Sequence, residues 1–132
     1  AARVYTTDHG EDLFDDARHL FLHASPFPSF WQLHVPLVVW TSPAYRERHA
    51  DIARCLNANR RKQAESNSVF HTLLTMGGVT TSYRNDSLSL ASPSFTPHRR
   101  LFIDDHNEPC SYGECMQKED MTLMNQKHIT ND

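Results

Sequence analysis

Near the start of the chain, Asp8-His9-Gly10-Glu11 sets a carboxylate beside an imidazole at the end of an apolar and β-branched run, Val4-Tyr5-Thr6-Thr7. Asp8 and His9 are both ordinary zinc ligands, and Gly10 lets the backbone turn sharply beside a metal. In open α/β sheets, ligands gather at the carboxyl ends of strands, which is where this pair falls. A motif of three residues also fits an ordinary turn, so by itself the signal is weak. Among the nine histidines, His34 precedes an apolar run and reads either as a residue reaching the same site or as a hydrogen-bonded strand end. Asp104-Asp105-His106 has the look of a second metal site, but a turn with side chains bonding the backbone suits it better. His19 and His98 lack partners in sequence and read as surface; His49 and His71 fall on predicted helices.

These residues need elements to position them. Residues 4–7 read as a strand. Residues 11–31 read as a loop, in which Leu13, Phe14, Ala17, Leu20 and Phe21 recur near helical spacing and admit a short helical turn. Ser25-Pro26-Phe27-Pro28-Ser29 excludes helix, since each proline restricts its predecessor and lacks an N–H. Glu11, Asp12, Asp15 and Asp16 could together hold a cation, although carboxylates on a loop are usually solvated. The run Val35–Trp40 predicts a strand buried on both faces, as in a central parallel strand, with Pro36 at its end or edge. Ser42-Pro43 begins a helix to about Asn57, with Tyr45, His49, Ile52 and Leu56 on one face. A second helix covers Ser66 to Met76, capped by Ser66 or Ser68 and ended by Gly77-Gly78, with Val69, Phe70, Leu73 and Leu74 as its buried face. Val79 to Tyr83 reads as a short extended piece, Arg100 to Asp104 as a third strand, and the polar tail after Lys118 as a frayed helix. The expected fold is an α/β sandwich with the strands at Val4, Val35 and Leu101 in one mixed sheet and the helices on its faces.

Composition narrows the choices. A chain of 132 residues is long enough for one compact domain. Its net charge of −3 leaves Asn59-Arg60-Arg61-Lys62 as a basic surface turn, a poor basis for nucleic-acid binding. There is no charged-then-apolar leader and no apolar run long enough to cross a bilayer. The sequence opens almost directly on a strand, which reads as a piece of something longer. Of the three cysteines, Cys110 and Cys115 are close enough to close a small ring, while Cys55 is either a buried thiol or bridged elsewhere.

Three blocks in order, Asp8-His9-Gly10-Glu11, then residues 20–26 (Leu-Phe-Leu-His-Ala-Ser-Pro) and residues 32–40 (Gln-Leu-His-Val-Pro-Leu-Val-Val-Trp), resemble the C-terminal part of the catalytic domain of bacterial phosphoethanolamine transferases. These are membrane-anchored members of the alkaline phosphatase and sulfatase superfamily. The resemblance runs from Val4 to about His71, and more loosely to Pro109. It implies the C-terminal portion of an alkaline-phosphatase-like α/β/α sandwich, zinc as cofactor, and Asp8 and His9 as metal ligands. It further implies a threonine nucleophile that takes phosphoethanolamine from a phospholipid, phosphatidylethanolamine, as a covalent intermediate and passes it to lipid A or another envelope glycan. A histidine placed where His23 stands contacts the phosphate or carries a proton for the leaving or attacking group, which makes His23 the catalytic and substrate-binding candidate, with His34 a second candidate for binding substrate.

The nucleophile and the glutamate that complete such a zinc site lie upstream of the Asp-His pair, outside this chain. Thr6 and Thr7 are explained by the β-branched preference of strands and are not promoted to that role. The segment alone is therefore expected to be inactive. Its parent is expected to sit in the bacterial inner membrane through N-terminal helices, with the catalytic domain facing the periplasm. Two other readings remain: a sulfatase or phosphoglycerol transferase of the same superfamily, and a non-catalytic binding domain whose Asp-His-Gly turn is coincidental. The last predicts no metal binding.

Overall fold

A computed structural model describes residues 1–23, 27–104 and 106–129. The predicted break at Ser25-Pro26 and the central residue of Asp104-Asp105-His106 lie outside the described residues. The chain divides into two compact units, one made of Ala1–Tyr5 with Leu37–His98, the other of Thr6–Pro36 with Arg99–Asp132. No helix among the described residues is long and apolar enough to cross a membrane.

In the first unit, β1 (Ala2–Thr6, its last residue belonging to the second unit) pairs with β4 (Leu37–Thr41) as a two-stranded sheet. The Ser42 N–H donates to the Ala1 carbonyl at 2.8 Å, so the start of β1 lies at the end of β4 and the strands run antiparallel. This corrects the expected central parallel strand. β4 alternates between half-buried and exposed residues, with Val38 and Trp40 exposed, because it has one neighbour and one covered face. Pro36 stands just outside β4, where its missing N–H costs no ladder bond.

The predicted helix from Ser42 is two helices, α2 (Pro43–Arg48) and α3 (Ala50–Asn59), broken at His49 with φ −129° and ψ 53°. Ser42 caps α2 by accepting from the Tyr45 N–H, with Pro43 in the first turn as expected. The predicted second helix is α4 (Asn67–Met76), ended at Gly77, with Gly78 at φ +67°, the left-handed conformation that glycine tolerates. Of the two expected serine caps, Ser66 stands at the N-cap position but its side chain makes no capping bond, and Ser68 lies inside the helix.

The buried face of α4 also differs from expectation. Phe70 and Leu73 are half exposed, whereas Ser68, Thr72 and Met76 are buried. Small polar residues face inward where the neighbouring loop presents hydrogen-bonding groups to them. Thr72 Oγ1 accepts from the Leu90 N–H at 2.9 Å, and the Ser89 hydroxyl bonds Thr75 Oγ1 at 2.8 Å. From α3, the Asn59 amide donates to the carbonyls of Leu90 and Ser92. Val79 to Tyr83 is coil and turn rather than extended strand.

In the second unit, β2 (Asp12–Leu13) and β3 (Phe21–Leu22) form an antiparallel hairpin in place of the helical turn suggested for that stretch. Apolar residues flank a run of turn formers here, and three residues with positive φ, Phe14, His19 and Leu22, bend the chain too sharply for a helix. A single helical turn, α1 (Phe30–Leu33), follows with Ser29 as its N-cap.

The third predicted strand is β5 (Leu101–Ile103). It pairs antiparallel with β6 (Pro109–Ser111) instead of joining β1 and β4. The turn between them is built by Asp104, whose carboxylate accepts from the N–H groups of His106 and Glu108. After α5 (Tyr112–Cys115), α6 (Lys118–Gln126) is a regular helix. Phe30, Phe102, Tyr112, Met116 and Met124 form the core of this unit. Cys110 and Cys115 are bridged, and Cys55 is a free, half-buried thiol.

Candidate metal centre

The candidate site lies within the second unit and starts where β1 ends. Asp8, His9 and Gly10 leave the strand as an irregular turn, and the Gly10 N–H donates to the Gln32 carbonyl of α1 at 2.8 Å. That approach is possible only for glycine, because a Cβ at residue 10 would stand 1.9 Å from the Trp31 carbonyl oxygen. The glycine is thus required by packing against α1.

The hairpin supplies the other half of the site. Its register pairs Asp12 with Leu22 and Leu13 with Phe21, and the Phe14 N–H donates to Leu20 in the same frame. One step outward, that frame sets Glu11 opposite His23. Their side chains meet, with His23 Nδ1 2.8 Å from Glu11 Oε1. Below them Asp12, almost fully buried, accepts from the Ser29 hydroxyl at 2.7 Å and from the Gln32 side-chain amide. Asp12 thereby ties β2 to α1, and the Gln32 amide also reaches the Leu22 carbonyl.

The far end of the hairpin is held by Arg18. Its guanidinium bonds Asp16 and both oxygens of Asp120, which is fully buried on the first turn of α6 and also accepts from the Phe30 N–H. Paired charges hold Arg18 above and Asp16 below their ordinary pKa values.

One donor atom from each of His9, Glu11 and His23 lies within 4.8 Å of the others, as a group able to hold a metal ion. The two imidazoles lie against each other, ring centres 4.2 Å apart. Asp8 is outside this trio: its side chain is largely exposed, one oxygen accepts from the His9 N–H, and the other lies 3.7 Å from His9 Nε2. The backbone bond and the neighbouring imidazole hold the Asp8 carboxyl below its usual range. His34 also lies outside the trio. It stacks on Phe30 at 4.8 Å, and burial, Arg100 and Lys127 push its pKa down.

Of the expected site residues, the structure therefore brings His9 and His23 together, keeps Asp8 beside His9, and leaves His34 elsewhere. Glu11 was missed, grouped with carboxylates that read as solvated. Asp12, Asp15 and Asp16 do not act with it as a cation cluster: Asp12 serves Ser29 and Gln32, Asp16 serves Arg18, and Asp15 accepts from the Leu13 N–H. The signal that would have found Glu11 is the pairing of Asp12-Leu13 with Phe21-Leu22 across a turn-rich stretch.

The donor set fits a zinc-class ion: imidazole nitrogens with carboxylate oxygens suit it better than magnesium or calcium, which take oxygen almost alone. Glu11 Oε2 is buried with no hydrogen-bond partner, which a cation would relieve.

A mixed α/β chain with this strand-end cluster defines a candidate metal-dependent catalytic segment, and comparison with known proteins says of which kind. No family model matches the chain. It is 33% identical over 102 residues to the phosphoethanolamine transferase EptA of Salmonella typhimurium, covering 74% of this chain and 17% of that protein. It is 36% identical over 84 residues to EptA of Escherichia coli K12, covering 61% and 15%. In fold it matches the C-terminal periplasmic domain of EcEptC from Escherichia coli, with a TM-score of 0.67 at 20% identity over 81% of this chain and 30% of that one. The zinc complex of the same domain gives a TM-score of 0.68 over 83% and 30%. The chain carries part of a phosphoethanolamine-transferase C-terminal domain, a likeness that stands on sequence and on fold together. It spans about a sixth of the length of the curated relatives it matches.

Proposed function

We propose that residues 1–132 are a C-terminal portion of the catalytic domain of a zinc-dependent phosphoethanolamine transferase. The complete enzyme would move phosphoethanolamine from phosphatidylethanolamine to lipid A or another envelope glycan, working at the periplasmic face of the inner membrane. The observation that carries the reading is the convergence of His9, Glu11 and His23 beside Asp8 at the end of β1, in a segment similar to transferases of that name. Asp8 and His9 would hold the zinc together with residues outside this chain, and the nucleophilic threonine, which forms the covalent phospho-intermediate, also lies outside it.

Zinc, when bound, supplies a Lewis acid for phosphoryl oxygens and lowers the pKa of a coordinated hydroxyl. The chain's own residues do the positioning. A carboxylate can only accept, so the His23 Nδ1 that contacts Glu11 carries the proton. Its Nε2 is then the free nitrogen, oriented to accept a proton from an attacking hydroxyl or, once protonated, to hold a phosphate oxygen. His34 would contact substrate from beside α1.

The test is phosphoethanolamine transfer by the complete protein that carries this segment, followed by mass spectrometry of lipid A and of the protein itself. Wild type is expected to transfer the group, and Asp8→Asn and His9→Ala to lose it. Turnover of aryl sulfate or phosphatidylglycerol instead of phosphatidylethanolamine would move the assignment to a sulfatase or phosphoglycerol transferase. Full activity in both variants would leave the turn without a role, as a non-catalytic domain requires.

A further inference from the structure

We propose that the exposed side chains of His34 and Lys127, with the buried guanidinium of Arg100 beside them, form a binding site for a phosphate monoester. The proposal deepens the transferase reading, in which His34 contacts substrate, by giving that contact a ligand chemistry and two cationic partners. It rests on that reading for His34 as a substrate contact, and on the geometry of the second unit for the site.

Packing places the three groups. α1 ends at His34, the C-cap residue, with φ −94° and ψ 93°, and the imidazole lies back on Phe30, the first residue of the same helix. The two rings are nearly parallel, 16° apart in plane with centres 4.8 Å apart. Phe30 meets Trp31 edge-on at 5.3 Å and shares a core with Tyr112. A cation stands on each of these two neighbours. Lys127, at the end of α6, puts Nζ 5.6 Å from the centre of the Trp31 ring. Arg100, just before β5, lies over Tyr112 at 4.5 Å. Three segments far apart in sequence thus bring three nitrogen groups to one aromatic cluster.

Burial divides their roles. Arg100 is 7% exposed, so dissolved salt screens its charge poorly. His34 and Lys127 are exposed and are the groups that a ligand reaches. A cation over a ring face is stabilised by the ring's quadrupole and keeps its charge. The carboxylate that touches α1 from α6, Asp120, is spent on the Phe30 N–H and on Arg18. Among the described residues, the charges that act on His34 are those of Arg100 and Lys127, which add to burial in holding its pKa down. An anion beside His34 cancels that repulsion and is held in turn by the imidazolium it favours.

A phosphate monoester matches this set. It carries a charge of about −1.5 to −2 at pH 7 and three acceptor oxygens, against two permanent cations and an imidazole that can take a proton. A carboxylate, with a single charge, leaves part of the set unused. Lys127 also stands where a cation suits the carbonyl end of α6, a role that needs no ligand, so the test reads binding and not stability.

The experiment titrates the metal-free 132-residue chain with inorganic phosphate at constant ionic strength and follows the imidazole NMR resonances. His34 is expected to shift saturably, and its titration midpoint to rise on binding because the anion offsets Arg100 and Lys127. Lys127→Ala is expected to weaken binding by about threefold or more, and Lys127→Glu to abolish it. Lys118→Ala, at the other end of the same helix, is expected to leave it unchanged. Circular dichroism checks that each of these exposed-site variants keeps the fold. A second arm spins the chain with phosphatidylcholine vesicles, with and without phosphatidic acid. Cosedimentation that needs phosphatidic acid and is lost in Lys127→Glu assigns the phosphate to a lipid headgroup, whereas phosphate binding without cosedimentation assigns it to a soluble molecule. The proposal is overturned by a His34 response that is absent or does not saturate, by a response confined to His9 and His23, or by equal binding in Lys127→Glu and wild type. The transferase reading fails separately. A complete protein that transfers nothing while His34 still responds to phosphate keeps the site and loses that function, whereas undiminished transfer in Lys127→Glu with no phosphate response at His34 in wild type does the reverse.

Discussion

Asp12→Ala is the perturbation that most directly tests how the site is held. Asp12 is 2% exposed, and its two oxygens accept from Ser29, itself fully buried, and from the amide of Gln32. Alanine removes the buried acceptor that both donors share, leaving the Gln32 amide its bond to the Leu22 carbonyl. Hydrogen bonds to a charged group contribute about 1.5–3 kcal/mol each, so losing the pair costs about 3–6 kcal/mol. With a urea dependence of about 2 kcal/mol per molar, the unfolding midpoint moves down by about 2 M. Trp31 in α1 reports the transition directly, provided that Trp40 is replaced by Phe so that the first unit is silent. Asp12→Asn should lose less than half as much, since its carbonyl still accepts from Ser29 and the Gln32 amide can turn to match it. The site must respond as well, because Glu11 and His23 take their positions from the strand that Asp12 anchors. Their imidazole and carboxylate NMR resonances should shift in Asp12→Ala. A loss under about 1 kcal/mol, or a large loss with those resonances unmoved, would refute the idea that Asp12 sets the register.

Three further outcomes follow from the same geometry. Gly10→Ala must push residue 10 away from the Trp31 carbonyl, so it should lower thermal stability and shift the His9 and His23 imidazole NMR resonances together; resonances unchanged from wild type would show that the turn moves freely of the site. Asp120→Ala leaves Arg18 short of a partner and the buried Phe30 N–H unpaired, an expected loss of about 3–5 kcal/mol read by the same urea titration. His34 should titrate by NMR below the ordinary 6.5, and Lys127→Ala should move it back up by removing a repelling charge. Because the unfolded chain binds the proton more readily than the folded one, stability should fall as pH drops through 6.5 toward the native value, and a His34 midpoint at or above 6.5 would contradict this sign.

The sequence placed the end of β1, the helix start at Ser42-Pro43 and the helix stop at Gly77-Gly78 well, because each carries its own local signal: β-branched residues before a glycine, Ser-Pro at a helix start, Gly-Gly at a stop. It misread residues 11–23 because Leu13, Phe14, Ala17, Leu20 and Phe21 satisfy a helical period and a hairpin equally. Three positive φ values at Phe14, His19 and Leu22 decide for the hairpin, and none falls on glycine, so composition gave no warning. The same error hid Glu11, whose partner is chosen by cross-strand register rather than by spacing along the chain. The inward-facing Thr72 was illegible for a related reason. It depends on the Leu90 N–H that a neighbouring segment presents, and a lone sequence does not list such groups.

The four residues of α1 show how so small an element can organise the site. A single turn has no stability of its own, since nucleation fixes several residues for few bonds. Its order comes from outside: the Gln32 carbonyl accepts from Gly10, the Gln32 amide donates to Asp12 and Leu22, and the Phe30 N–H donates to Asp120. These bonds join the end of β1, both strands of the hairpin and α6 to one turn. Loosening any of them removes order from α1 and so from the rest. The Asp8-His9 turn and the Glu11–His23 pair should therefore lose protection from amide exchange together, at a free energy below that of the Met124 core.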